Sequence, residues 1–331
     1  MKIGILGATG AVGRQMLQCI EERQIPADEI RVFASKRSVG KKLFCNGYEL
    51  TVEEATQDRL NGLDFVLGAV SNALSKKFRP MVEKSGAIYI DNSSAFRQED
   101  GVPLVVPEIN GADALKNHGV IANPNCSTAI TLMALAPINN LSKIKTINAC
   151  TYQAVSGAGM GGIEELKGEV DALEKGETYE PKVFPGQIAF NVIANIGSPL
   201  DNGYTTEEMK MQNEGRKILH LPDLKVTCTC VRVPVMRSHS IAVTLRTERK
   251  VSVEEAKEAV RAFKGVRLIE DYEGRCYPTP LDTSNQDLVW VGRIREDLTD
   301  ENGLTLWCCG DQIRKGAASN AVQILRRMIE E

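Results

Sequence analysis

The stretch NPNCSTAI, residues 123 to 130, sets a cysteine between an asparagine and two hydroxyl residues where an apolar run opens a helix. A thiol at a helix amino terminus meets unpaired N–H groups and the positive end of the helix dipole, both of which favour thiolate over thiol. Cys126 therefore reads as a nucleophile or, alternatively, as a small core residue under a helix start. A nucleophilic thiol needs a partner to manage its proton. The chain holds 3 histidines. His118 precedes GVIAN in a loop and His220 ends a helix in ILHLPD, whereas His239, in RVPVMRSHSIAV, stands immediately before a strand and is the candidate acid/base.

A second chemical signal lies at the amino end. GILGATGAVGRQ places Gly7, Gly10 and Gly13 after one strand and before one helix. Such glycines let the backbone turn tightly and approach a pyrophosphate, whose charge meets open amides and the helix dipole. The expected cradle is Gly7, Thr9, Gly10, Ala11, Val12 and Gly13. Where an NAD-specific fold carries an acid after its second strand, ASKRSVGKK offers Ser35, Arg37 and Ser38, which suit a ribose 2′-phosphate and point to NADP. Short-chain-type dehydrogenases share this glycine spacing but need a Tyr with Lys four residues on, and none of the 7 tyrosines has that partner. A thiolate beside a nicotinamide suits attack on an aldehyde or acyl carbonyl.

These groups must be positioned by two kinds of framework. KIGIL, IRVFA, DFVLGAV, AIYID and GVIAN alternate with helical stretches such as AVGRQMLQCIEER and Ala73 to Lys84, which predicts an α/β, Rossmann-type doubly wound sheet over residues 1–125. After Cys126 the strands lengthen: IKTINACTYQAVSG, KVTCTCVRVPV, SIAVTLRTER, LVWVGRI and LTLWCCGDQI are separated by helices over 162–174, 206–219 and 253–263. That grammar predicts a second, α+β domain over 126–312, with a mixed or antiparallel sheet. NIGSPLDNGYTTEE reads as a loop. The amphipathic close, 313–331, is expected to return to the first domain.

Composition narrows the partners. With 331 residues, 43% hydrophobic and 25% charged, the chain has the make-up of a globular protein of two domains. A net charge of -3 without long basic blocks gives no footprint for nucleic acid or an anionic membrane, so a small molecule is expected. The apolar start is interrupted by glycines too soon for a signal peptide or membrane span, so the cytoplasm is the expected location. The 9 scattered cysteines lack zinc-site or disulfide spacing, so no metal is expected, and Cys228, Cys230, Cys308 and Cys309 read as core thiols.

GATGAVG, DNSSAFR, VVPEIN, NPNCST, YQAVSGAG, RVPV seven residues before a histidine, and DQIRKGAASNAVQ occur in the order found in aspartate-semialdehyde dehydrogenases. The chain resembles that family over nearly its whole length. The resemblance implies Cys126 as acyl-forming nucleophile, His239 as acid/base, Asn125 orienting the bound group and Gln153 contacting substrate or the cysteine region. It also implies Arg232 on the substrate carboxylate, Glu214 on its amine, and Lys217 and Arg97 on phosphate. Ser156, Gly157 and Gln312 fall at cofactor positions. The implied reaction is NADPH-dependent reductive dephosphorylation of L-aspartyl 4-phosphate to L-aspartate 4-semialdehyde and phosphate. It serves diaminopimelate, lysine, threonine and methionine synthesis, in a homodimer or homotetramer. N-acetyl-γ-glutamyl-phosphate reductase is the nearest rival, since its acetamide substrate needs no acid such as Glu214; glyceraldehyde-3-phosphate dehydrogenase and an idle dinucleotide-binding relative stand further off. Arg237, two residues before His239, is a charge with no evident role.

Overall fold

The computed structural model describes residues 1–330. They form two compact units: Met1–Asn125 together with the stretch from Ala317 onward, and Cys126–Gly316. The first unit runs β1 (Lys2–Leu6), α1 (Ala11–Glu22), β2 (Glu29–Phe33), β3 (Lys42–Cys45), β4 (Tyr48–Thr51), α2 (Gln57–Leu60), β5 (Phe65–Gly68), α3 (Asn72–Ser85), β6 (Ile88–Asp91), α4 (Pro107–Asn110) and β7 (Val120–Ala122). Its five-stranded sheet has the order β2-β1-β5-β6-β7, every pair parallel. Ile3, Ile5, Leu67 and Ile90 are fully buried on these strands, as the near-continuous apolar runs of a sheet covered on both faces require. β3 and β4 form a hairpin not expected from the sequence. Its Asn46-Gly47 turn has φ of 52° and 77°, the left-handed pair that a tight hairpin needs.

The second unit contains α5 (Cys126–Leu141), β8 (Ile144–Gln153), α6 (Met160–Glu174), α7 (Thr206–Leu219), β9 (Lys225–Arg232), β10 (His239–Thr247), α8 (Val253–Ala262), β11 (Val266–Leu268), α9 (Pro280–Thr283), β12 (Val289–Glu296) and β13 (Gly303–Gly310). The sheet order is β11-β12-β13-β10-β8-β9, with β8/β9 and β11/β12 parallel and the other pairs antiparallel. It is a mixed sheet. α5 is apolar on all sides, and every residue from Ser127 to Asn139 is buried where it packs on this sheet and on α7 and α8. A helix enclosed in this way cannot shift without opening the core, so its first residue is fixed in place.

The helix expected over 206–219 begins where it was expected, at the end of the 195–208 loop. Thr205 accepts the Glu208 N–H on its hydroxyl while the Glu208 carboxylate accepts the Thr205 N–H, a capping box that starts α7 at Thr206. The chain then closes through a π-type turn at Arg314–Ala318 into α10 (Ser319–Ile329). Ala321, Val322, Ile324 and Leu325 of α10 are buried in one cluster with Ile3, Ile5, Met16, Ile20 and Leu67 of the first unit. Among the described residues no helix is long and apolar enough to cross a membrane.

Candidate active site

Cys126 is the first residue of α5, at the positive end of the helix dipole, and no acidic side chain stands in that first turn. His239 is the first residue of β10 and is wholly buried. Its Nε2 stands 3.4 Å from Cys126 Sγ. The other ring nitrogen, Nδ1, accepts the Ala154 N–H at 3.0 Å. A neutral ring so held carries its proton on Nε2, the nitrogen that faces the sulfur. Burial first, and the Arg232 charge second, push the His239 pKa down to about 3, with Glu207 acting in the opposite sense. The imidazole is therefore neutral at physiological pH.

Gln153 ends β8 in register with Arg232 at the end of β9. The buried Gln153 amide nitrogen donates to Glu207 Oε1 at 3.2 Å and lies 3.5 Å from His239 Nε2, while its carbonyl accepts the Thr151 hydroxyl at 3.3 Å. Arg232 Nη1 donates to the Ala154 carbonyl at 2.7 Å, and its guanidinium lies 5.6 Å from the centre of the Phe184 ring. Phe184 is itself anchored: the buried Glu165 carboxylate of α6 accepts the N–H groups of Lys182, Val183 and Phe184 at 2.6, 2.7 and 2.9 Å. Glu169, one turn on, accepts those of Ile188 and Ala189.

Two glycines make this packing possible. A Cβ at Gly157 would come within 2.8 Å of Arg232 Nη1 and 3.2 Å of His239 Cε1. One at Gly316 would come within 2.7 Å of Cys126 Cβ. Gly316 and Glu207 are site residues that the sequence reading missed. Glu207 had a legible signal, since it lies seven residues before Glu214 and so on the same face of α7. The Ala154 N–H has no signal in residue type.

The remaining candidates fall as follows. Glu214 is 1% exposed and Lys217 half-buried on α7, so Glu214 is not the surface residue that its spacing alone would suggest. Asn125, the residue before Cys126, is buried. Gln312 accepts the Ser238 N–H at 2.7 Å and donates to the Ser156 hydroxyl, joining the turn before His239 to the 155–158 turn. Ser238 has φ of 76°, a left-handed conformation costly for a non-glycine residue. Arg237 finds its role here: its Nε donates to Asp311 at 2.6 Å, and the fully buried Asp311 also accepts the N–H groups of Asn285, Ile313 and Arg314. His118 and His220 are exposed. Cys228, Cys230, Cys308 and Cys309 are buried, and burial raises the pKa of the Cys308 and Cys309 thiols.

The first unit carries the other set. Gly7 has φ of 80°, and a Cβ there would lie 2.2 Å from the Ala69 carbonyl; one at Gly13 would lie 2.3 Å from the Gly7 carbonyl. α1 begins at Gly10 with no side-chain cap and no acid in its first turn. Thr9, Gly10, Ala11 and Val12 thus surround open helix-start amides, a cradle fitted to a pyrophosphate. The N–H groups of Gly7 and Ala8 bond the Phe33 carbonyl at the end of β2, which sets the following Ser35–Ser38 turn at the loop. Arg37 and Ser35 are exposed there and Ser38 is buried. Arg97 is buried, donating to the Asn123 carbonyl at 2.9 Å and the Asn92 carbonyl at 2.8 Å. Asp91 anchors this segment by accepting the Ser75 and Ser93 hydroxyls, and burial raises its pKa.

A glycine-looped parallel sheet, and a mixed sheet carrying a thiol against a buried imidazole, define a dinucleotide-linked oxidoreductase of the semialdehyde dehydrogenase class. The family description "Semialdehyde dehydrogenase, NAD binding domain" matches residues 2–118, and "Semialdehyde dehydrogenase, dimerisation domain" matches 135–315. The chain is 44% identical over 330 residues to the aspartate-semialdehyde dehydrogenase of Synechocystis sp., covering 100% of this chain and 98% of that one. It is 44% identical to that of Bacillus subtilis, with 98% and 96% covered. The crystal structure of aspartate semialdehyde dehydrogenase II from Vibrio cholerae complexed with ASA matches with a TM-score of 0.97 at 41% identity, covering 100% of this chain and 98% of that one. This chain belongs to the aspartate-semialdehyde dehydrogenase family. It is an oxidoreductase acting on an aldehyde or acyl phosphate, with a nicotinamide dinucleotide as cofactor.

Proposed function

We propose that the enzyme catalyses NADPH-dependent reductive dephosphorylation of L-aspartyl 4-phosphate to L-aspartate 4-semialdehyde and phosphate, in the cytoplasm, through a thioester on Cys126. The observation that carries this reading is the Cys126 Sγ to His239 Nε2 approach of 3.4 Å at the amino terminus of α5. When bound, the dinucleotide supplies the hydride. The loop Gly7–Gly13 holds its pyrophosphate, and Ser35, Arg37 and Ser38 its 2′-phosphate; Ser156, Gly157 and Gln312 complete the cofactor positions. The first unit is then the NADP-binding domain, and the second serves catalysis and assembly of a dimer or tetramer.

Cys126 attacks the acyl phosphate carbon, forming the C–S bond as the C–O bond to phosphate breaks. Arg97 and Lys217 bind the phosphate group. Arg232 grips the substrate α-carboxylate, a planar bidentate task, and Glu214 meets its amine. Asn125 and Gln153 orient the bound group without adding charge. His239 presents Nε2–H to the sulfur and to the oxygen on the acyl carbon, and so acts as the acid/base of the hemithioacetal step. Enclosure of the imidazole protects the thioester from water.

The test is phosphate-dependent NADPH formation from aspartate semialdehyde, beside N-acetylglutamate semialdehyde as control. Cys126→Ala should abolish turnover and His239→Asn should lower it by about 100- to 10,000-fold, the usual worth of a positioned acid/base. Turnover surviving in Cys126→Ala, or preference for the acetylated substrate, would overturn the assignment.

A further inference from the structure

Glu207 is the second residue of α7, on the face that also carries Met211, Glu214 and Ile218. Its side chain is only 10% exposed. Oε1 accepts the Gln153 amide at 3.2 Å, and Oε2 meets Lys210 Nζ at 2.7 Å. Its charge is felt by both Arg232 and His239. The neighbouring Glu208 closes the capping box and accepts the Cys230 N–H, so the helix start does not need Glu207 for its own support. A carboxylate half-way between a lysine and a catalytic amide, beside a buried imidazole and a buried guanidinium, has a further use.

We propose that Glu207 is a positioning residue that fixes the Gln153 amide and balances the Arg232 charge around Cys126 and His239. This rests on the roles given to Cys126, His239 and Gln153 above. An amide can rotate by half a turn at little cost unless a partner accepts only from its nitrogen, and a carboxylate is such a partner. With Glu207 in place the Gln153 nitrogen is committed and its carbonyl faces the Thr151 hydroxyl. The negative charge also offsets the guanidinium, which otherwise acts alone on the sulfur and the ring.

The experiment compares wild type, Glu207→Gln and Glu207→Ala in two assays. The first is the pH dependence of Cys126 alkylation by iodoacetamide, followed by peptide mass analysis without substrate. Losing a negative charge favours thiolate, so both variants should move the midpoint down by roughly half a pH unit. The second is turnover of aspartate semialdehyde. Glu207→Ala should lower kcat about 10- to 100-fold, the worth of a charge-assisted hydrogen bond, with KM within about threefold. Glu207→Gln keeps an acceptor for Gln153 and should retain more activity than Glu207→Ala. An unmoved midpoint in Glu207→Gln, or kcat within twofold of wild type in Glu207→Ala, overturns the proposal. Alkylation needs no substrate, so a wild type idle towards the semialdehyde would sink the functional assignment and leave this test standing.

Discussion

Gly316 shows how closely Cys126 is fitted. A methyl group there would press to 2.7 Å from Cys126 Cβ and 3.1 Å from its Cα, both on the rigid first turn of α5, so neither neighbour can swing aside. Gly316→Ala should therefore move the thiol rather than unfold the chain. The expected outcome is a loss of kcat of about 100-fold, as a shift of about 1 Å at a reacting atom produces, with thermal stability lowered by about 1–3 kcal/mol. Activity and a melting curve measured on one preparation decide it. At this scale the sequence spoke unevenly. Cys126 and His239 stood out because few residue types offer such chemistry and the chain has only three histidines, and the structure brings the two within 3.4 Å. Gly316 did not, because RKGAAS is a run of small residues and nothing local distinguishes the one that packs on Cys126 Cβ. The Ala154 N–H that sets the His239 tautomer belongs to the backbone and has no signature in the side chain.

Among the elements, α6 governs Arg232 at one remove. Glu165 gathers three amide groups of the 182–184 segment and Glu169 two of 188–189, so the stretch that presents Phe184 and pairs Ile193 with Arg232 is held by buried carboxylates. Glu165→Ala removes those acceptors, and opening this segment should become easier by about 3 kcal/mol. Hydrogen exchange at Lys182–Phe184 should quicken by about 100-fold while β8 and β10 stay protected, and KM for the semialdehyde should rise more than kcat falls. Equal protection in variant and wild type would remove Glu165 from this role. Long elements were readable here through period: the strands from KIGIL to LTLWCCG and the helices over 162–174, 206–219 and 253–263 match to within a few residues. β11 was missed because three residues carry no period. The β3–β4 hairpin was missed although its Asn46-Gly47 turn is a strong local signal, since the basic residues before it were read for cofactor binding alone. α7 starts at Thr206 as expected, and the polar TTEE run before and at its start is a reciprocal cap.

For the molecule, the buried imidazole links stability to acidity. His239 is neutral in the fold with a pKa of about 3, whereas an unfolded histidine titrates near about 6.5. The depressed value means that its contribution is fully present above about pH 6.5 and is lost as pH falls from there towards 3. The slope is about 1.4 kcal/mol per pH unit for one proton. Wild type should therefore lose about 2 kcal/mol more than His239→Gln between pH 6.5 and 5, read from urea unfolding of both proteins at each pH. A constant difference would contradict the neutral, enclosed ring.

The placement of α10 also bears on how the chain is made. A ribosome delivers Cys126–Gly316 as one uninterrupted segment, but the first sheet must wait for Ala321, Val322, Ile324 and Leu325 before its core around Ile3 and Ile5 is covered. The later-synthesised unit can thus close before the earlier one does. During that interval the nascent amino-terminal half offers bare apolar surface, the kind of surface on which chaperones act.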